Sequence, residues 1–254
     1  MGFEIQKAGF WKRASAFLFD IILRGILIVG LLTLLSAVTG YDRKSDLLQA
    51  KYDAYSAEYD TNLGMSEEEY NTLPKEAQDR YMAAYKALTE DAEALETYHQ
   101  VIKLSLLNIS LSIFLAYAVL EFIVPLLLKE GRTLGKKIFG LCVVHTNCVR
   151  MEPGAIFIRS MLGKCTLETM VPVLVLILLY FSAVGLAGTA ILIVLVMTQI
   201  ILLIATQNNQ LIHDLLAQSA VADYQSQPVY DTLEELNAAK ARKAAEAARL
   251  TPYD

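Results

Sequence analysis

Three long apolar runs divide the chain. Residues 14–38 and 102–128 each have the length of one bilayer-spanning helix, and residues 167–205 form a run of roughly 40. As a single helix that last run would be about 60 Å long, twice the thickness of a bilayer core. It must fold back, and Ser182-Ala183-Val184-Gly185-Leu186-Ala187-Gly188 is the segment able to turn. The pattern predicts four membrane helices. The first run is longer than a signal-peptide core and carries internal charges, so it reads as an uncleaved anchor, with Phe10 and Trp11 at the interface.

Between the runs the periodicity changes. Leu48, Tyr52, Tyr55 and Tyr59 recur at i, i+4, i+7 and i+11, one helical face. Ser66-Glu67-Glu68-Glu69 matches a capping box, and Pro74 suits a helix start. Ala77, Tyr81, Ala84, Leu88, Ala92 and Leu95 then make a second stripe leading to the second span. These predict a helical hairpin over residues 41–100, with eight of the 13 tyrosines as its seam or as a partner-binding surface. Farther on, Gly131-Arg132-Thr133-Leu134-Gly135-Lys136-Lys137 is glycine-broken and basic, and Gly140-Leu141-Cys142-Val143-Val144-His145 is β-branched and turns at Thr146-Asn147. Residues 155–164 read as a short amphipathic helix along the membrane surface. Residues 233–250 read as a solvated helix.

Composition agrees: 55% hydrophobic residues and a mean hydropathy of +0.40 exceed what soluble domains carry. The net charge of −5 hides a segregation. Residues 129–165 hold seven bases (Lys129, Arg132, Lys136, Lys137, Arg150, Arg159, Lys164) against Glu130 and Glu152, whereas residues 41–100 hold 14 acids against six bases. Lys and Arg mark cytoplasmic loops. The N- and C-termini and the 129–165 loop are therefore expected on the cytoplasmic side of the cell membrane, and the acidic segment outside. The expected fold is an all-α membrane protein with four transmembrane helices and an extracytoplasmic helical hairpin between spans 1 and 2. Its parts are residues 1–40, 41–100, 101–221 and a tail, 222–254, helical or disordered.

Charges inside the spans are the candidate chemistry, because an ionisable group at bilayer depth is expensive and usually faces a partner or water. Arg13, Phe17, Asp20 and Arg24 share one face of the first helix, and Asp20 and Arg24 form an i,i+4 pair. Glu121 reaches a similar depth in the second span. Pro125 removes the hydrogen bond to the Glu121 carbonyl, setting a freed oxygen beside an acid, and hard cations favour such oxygens. Asp20, Arg24 and Glu121 sum to one negative charge if all are ionised, which a single proton or a single cation would balance. The simpler reading, which comes before the transport one, is a structural polar network that fixes helix register. Glu168 suits a helix N-terminus. His213 and Asp214 leave the fourth span level with Arg13 and near Arg159, where an Arg–Asp pair is the simple expectation and His213 could relay protons.

Other chemistry is poorly supported. Cys142-x-x-His145-x-x-Cys148 has no fourth ligand, three cysteines give no disulfide framework, and Gly131-x-x-x-Gly135-Lys136-Lys137 is one residue short of a P-loop. No Ser/His/Asp arrangement suggests a hydrolase. Neither enzyme activity, a cofactor, a metal nor a nucleic-acid partner is expected. The partners expected are the lipid bilayer, a proton or a small cation, and a membrane-protein partner or a second copy.

Three blocks together resemble the RDD family of prokaryotic membrane proteins, named for an arginine and two aspartates. Ala8-Gly9-Phe10-Trp11-Lys12-Arg13-Ala14 with Asp20 resembles its first-span signature. Gly131-Arg132-Thr133-Leu134-Gly135-Lys136-Lys137-Ile138-Phe139-Gly140-Leu141 resembles its G-x-T-x-G-K-x-x-x-G-L segment, followed by Arg159. His213-Asp214, Ala217 and Ser219-Ala220-Val221 resemble its closing H-D-x-x-A-x-T-x-V. The resemblance makes Arg13, Asp20 and Asp214 the name-giving residues. It departs where Asn208, Asn209 and Gln210 replace arginines, Gln218 replaces a glycine and Ser219 a threonine. It implies little chemistry: some members are proposed sodium/proton antiporters, others accessory or assembly factors. Cation/proton transport through Asp20, Arg24 and Glu121 is the first functional expectation. A non-enzymatic scaffold acting through the hairpin or basic loop is the second.

Overall fold

The computed structural model describes residues 5–128 and 131–250, so Glu4, Lys129, Glu130 and the last four residues lie outside the described residues. Among the described residues, four helices are long and apolar enough to cross a membrane: Phe10–Thr39, Ala92–Leu127, Pro153–Tyr180 and Gly185–Ala205. The last two are joined by a turn in which Ala183 N–H donates to the Leu178 carbonyl, inside the segment expected to fold back.

The third span corrects one expectation. Residues 155–164 are not a separate surface helix but the first half of a continuous 28-residue helix. Its polar residues face protein: Arg159 and Ser160 are buried, and Lys164 meets Glu121. A charge with a partner waiting inside the bundle need not lie at the membrane surface. Glu168 consequently sits mid-helix rather than at a helix start.

Two stretches are wound as π-helix, Ala118–Ile123 in the second span and Ile158–Met170 in the third. Pro125, which has no N–H, lies just beyond the first. In an α-helix, at 100° per residue, Arg159 and Lys164 would stand 140° apart around the axis. The i→i+5 repeat of a π-helix brings them close to one face.

By contacts the chain divides into two compact units, one comprising the residues up to Ile28 and from Phe114 onward, the other Val29–Ile113. In the first, the chain is not purely helical. β1 (Leu141–His145) pairs antiparallel with β2 (Ser219–Asp223), with Val143 opposite Val221. Alternation sends Leu141, Val143 and Val221 into a cluster with Ala8, Ala16, Met151, Ile156 and Ala217. Cys142, Val144 and Ala222 pack on the other face, against Ile5 and Val229. The all-α expectation fails here because residues 219–223, placed in the helical region and tail, supply the second strand.

The second unit contains the helices Tyr41–Glu58, Glu67–Thr72 and Lys75–Glu90. Ser66 and Glu69 close the capping box reciprocally, at 3.3 and 2.8 Å. Ala84 and Leu88 are buried with Leu63 and Ala94, covered by Tyr52, Tyr55, Tyr59 and Tyr81. The inward stripe changes register after Asp91: Ala94 is buried where Leu95 was expected, and Leu95 is exposed. Asp91 causes the restart. Its backbone is extended, and its carboxylate accepts the Glu93 and Ala94 N–H groups at 2.9 and 3.2 Å, capping the helix that follows. Lys51 donates to the same carboxylate at 3.0 Å, and that bond with the Ala94 amide holds Asp91 down at about 2.

Candidate functional site

Two buried charge clusters lie within the first unit. The first gathers around the charged face of the first span. Arg24 reaches Glu121 at 3.2 Å and stacks over the Tyr117 ring, 4.5 Å from its centroid. Lys164 meets the other Glu121 oxygen at 2.6 Å. Arg24 and Glu121 are thus brought together as expected, but the ion pair shown for Arg24 is with Glu121 rather than with Asp20, four residues away on its own helix.

Asp20 is held by the segment after the second span. The Thr133 hydroxyl and the Gly135 N–H both donate to it, and the Lys136 ammonium stands 4.0 Å away. Thr133 also accepts from Lys136 N–H, starting the short helix Leu134–Ile138. Gly135 permits the approach: a Cβ there would run into the Ala16 carbonyl oxygen and lie 2.8 Å from the Asp20 carboxylate. Thr133, Gly135 and Lys136 are the T, G and K of the G-x-T-x-G-K pattern. Each of the three serves Asp20.

Lys136 is buried. Burial first, then repulsion by Lys164 and Arg159, pulls its ammonium down to about 7, against the attraction of Glu121 and Asp20. The expected site was one charge short on the negative side. Lys136 and Lys164 reverse this: with Asp20, Glu121, Arg24 and Lys164 ionised the group is neutral, and a protonated Lys136 makes it one positive.

The second cluster joins the third span to the segment after the fourth. Arg159 grips Asp214 through Nε at 3.0 Å and a terminal nitrogen at 2.7 Å. Ser219 accepts from Arg159 and donates to Asp214, both at 3.2 Å. Serine keeps the hydroxyl that the family's threonine would supply. Burial pushes the Asp214 carboxyl up, and Arg159 followed by His213 more than reverses it, holding the group well below the usual range. The His213 backbone N–H donates to Glu168 at 3.0 Å, and its ring Nδ1–H donates to the Glu168 oxygens at 2.8 and 2.9 Å. Its Nε2 lies 3.5 Å from Asp214. Burial dominates there, taking His213 below its ordinary value against the attraction of Asp214. Gly163 lets this segment approach, since a Cβ would stand 2.5 Å from that of His213.

The Arg–Asp pair expected at the rim is therefore Arg159 with Asp214. Arg13 instead donates to the Asn209 carbonyl at 2.7 Å. Gln210, in a position where the family has arginine, is buried and donates to the Ser219 carbonyl at 2.7 Å. Gln218 has a φ of 47°, left-handed backbone that explains the glycine the family pattern carries there. The sequence reading missed Thr133, Lys136, Lys164, Glu168 and Ser219 as site residues. The T-x-G-K spacing was the available signal for two of them.

No curated protein and no solved structure matches the chain. The model of the RDD family matches residues 7–218, a stretch that ends just before Ser219 and contains every other charged residue and glycine of both clusters. With four helices of membrane-spanning length and that match over most of its residues, the chain belongs to the RDD family.

Proposed function

We propose that this membrane protein exchanges protons for a small monovalent cation, Na⁺ being the first candidate, through the network of Asp20, Arg24, Glu121, Lys136 and Lys164. The observation that carries the reading is the buried Lys136 ammonium 4.0 Å from Asp20, with a proton affinity near neutrality. Glu121, tied to Arg24 and Lys164, is the fixed anion of the network. When Lys136 gives up its proton the network is neutral and Asp20 loses its nearest mobile cation. A cation arriving at Asp20 then restores the charge the proton had supplied. One carboxylate cannot be served by both, and that competition couples the two fluxes.

The surplus of Lys and Arg in residues 129–165 and the acidity of residues 41–100 support an orientation with both termini in the cytoplasm and the acidic segment outside the cell membrane. Purified protein in liposomes tests the transport reading with an internal pH-sensitive dye and a Na⁺ pulse. The pulse should drive proton movement, abolished in Asp20→Asn and Lys136→Met while thermal unfolding stays cooperative. Equal flux in wild type and both variants would end it.

A scaffold reading is favoured by one observation. Met82, Tyr85, Leu95 and Tyr98 are exposed in the acidic unit, an apolar set suited to a membrane-protein partner or second copy. Removing residues 41–100 should then release a co-purifying partner or dissociate an oligomer. Retention of both would exclude it.

A further inference from the structure

Bases from separate stretches of the chain meet at one end of the first unit, around the last residue of β2, Asp223. Lys7 pairs with Ala222 across one edge of that strand, and Leu141 pairs with Asp223 across the other. Neighbouring strands lie about 4.8 Å apart, so the N-terminal segment and the end of the 131–140 loop flank the aspartate closely. Lys12 donates to the Asp223 carboxylate at 2.6 Å. Arg132 stacks over the ring of the next residue, Tyr224, 4.2 Å from its centroid. The Tyr224 N–H donates to the Gly140 carbonyl at 2.9 Å, and the Gly140 N–H to the Lys137 carbonyl at 3.4 Å. Asp223 is taken by Lys12. Lys7 and Lys137 are exposed and make no ion pair among the described residues.

This surplus of positive charge lies beside bare apolar side chains. Trp11, 80% exposed, precedes Lys12, and Ile138, 63% exposed, follows Lys137. The short helix that carries Lys137 and Ile138 rests on the first span, because Gly135 abuts the Ala16 carbonyl. Ala16 is one turn beyond Lys12, about 6 Å along the axis. Ile138 and Trp11 therefore stand at nearly the same height on the span, and tryptophan marks the headgroup level of a bilayer. At that height the lysine ammonium groups meet lipid phosphates. A soluble anion would satisfy the bases and leave Trp11 and Ile138 in water. A phospholipid satisfies both. A zwitterionic headgroup brings a cation of its own, which the unpaired lysines repel, so the fit is to a lipid with net negative charge.

We propose that this rim binds an anionic phospholipid, its phosphate held by Lys7, Lys12 and Lys137 and its acyl chains lying along Trp11 and Ile138.

Trp11 is the single tryptophan of the chain, so its fluorescence reports from the site itself. The full chain is reconstituted at low ionic strength in mixtures of phosphatidylglycerol and phosphatidylcholine, with one lipid brominated as a quencher and then the other. Each lysine near an anionic headgroup contributes on the order of fivefold in affinity. Quenching in the wild type should therefore give a preference for phosphatidylglycerol of about tenfold, below the product for two lysines because water screens them. The double variant Lys7→Gln/Lys137→Gln, at two exposed positions, should reduce it to about twofold, for the same reason. Lys75→Gln, an exposed lysine of the acidic unit, should leave it unchanged. Equal quenching by the two lipids in the wild type would overturn the assignment. So would a preference that survives the double variant, or one that Lys75→Gln lowers as much. A preference erased by millimolar glycerol phosphate at constant ionic strength would assign the bases to a soluble anion and also refute it.

Discussion

Replacing Glu121 by glutamine removes one negative charge from between two cations and leaves its shape in place. Glu121 is 4% exposed, with Lys164 at 2.6 Å and Arg24 at 3.2 Å. At an effective dielectric of about 20 these separations correspond to gross attractions of about 6 and 5 kcal/mol. Desolvating three charges offsets much of that, and breaking a buried pair from one side typically costs about 3–5 kcal/mol, because the abandoned charge stays buried. Glu121→Gln abandons two. Its expected cost is at the upper end, about 5 kcal/mol, read as loss of unfolding free energy in mixed micelles with increasing denaturing detergent. Lys164→Met leaves Glu121 paired with Arg24 and should cost less, about 2 kcal/mol. The double variant removes charge from both sides and should be more stable than the sum of the single effects by about 2 kcal/mol. Additive single effects, or a Glu121→Gln cost within about 0.5 kcal/mol of zero, would show that the charges at 2.6 Å are not energetically coupled.

Three further outcomes follow from local geometry. Gly163→Ala places a methyl 2.5 Å from the His213 Cβ and should lower stability by about 1–3 kcal/mol, visible as a lower Tm, whereas Gly154→Ala, in open space, should be near neutral. Gln218→Gly relieves a left-handed residue with φ 47° and should raise stability by about 1 kcal/mol; an unchanged or lower Tm would refute it. Lys136 is held at about 7 in the folded protein against an ordinary 10.5. Between those values the unfolded chain binds more protons, so stability should rise as pH increases from about 7 toward 10.5. Below about 7 both states are protonated and this contribution is flat. Lys136→Met should flatten the rise, and a wild-type curve level across that window would refute the shift.

How far the sequence could be read depended on whether information was local. The membrane spans and the turn between the last two were legible because 20 apolar residues have few alternatives. Charge partnerships were not. Spacing alone puts Asp20 beside Arg24 on a helix, yet Arg24 goes to Glu121, 97 residues away, and Asp20 to Thr133 and Gly135. Lys164 and Arg159 looked like the polar face of a surface helix because their partners, Glu121 and Asp214, lie in other elements. β1 looked like a strand from its own residues, but β2 is five residues long and separated from it by two membrane spans. The motif residues fared differently. Thr133, Gly135 and Lys136 were noticed as a pattern, and only the structure gives each of them a task at Asp20. Nothing in the composition of residues 158–170 announces a π-helix, since that winding is imposed by the partners it serves.

That winding has a consequence for the length of the third span. Arg159, Lys164 and Glu168 meet Asp214, Glu121 and His213 respectively, and they do so at a repeat wider than that of an α-helix. Inside such a segment, chain length is read out as angle. Deleting one residue between Arg159 and Glu168 would rotate everything beyond it by about 80°, the turn per residue of so wide a repeat, taking Glu168 away from His213 while Arg159 kept Asp214. The two ends of the segment are therefore held in phase by a fixed count of residues. Substitutions there are heard by one neighbour, whereas a gain or loss of a single residue is heard by the whole downstream helix.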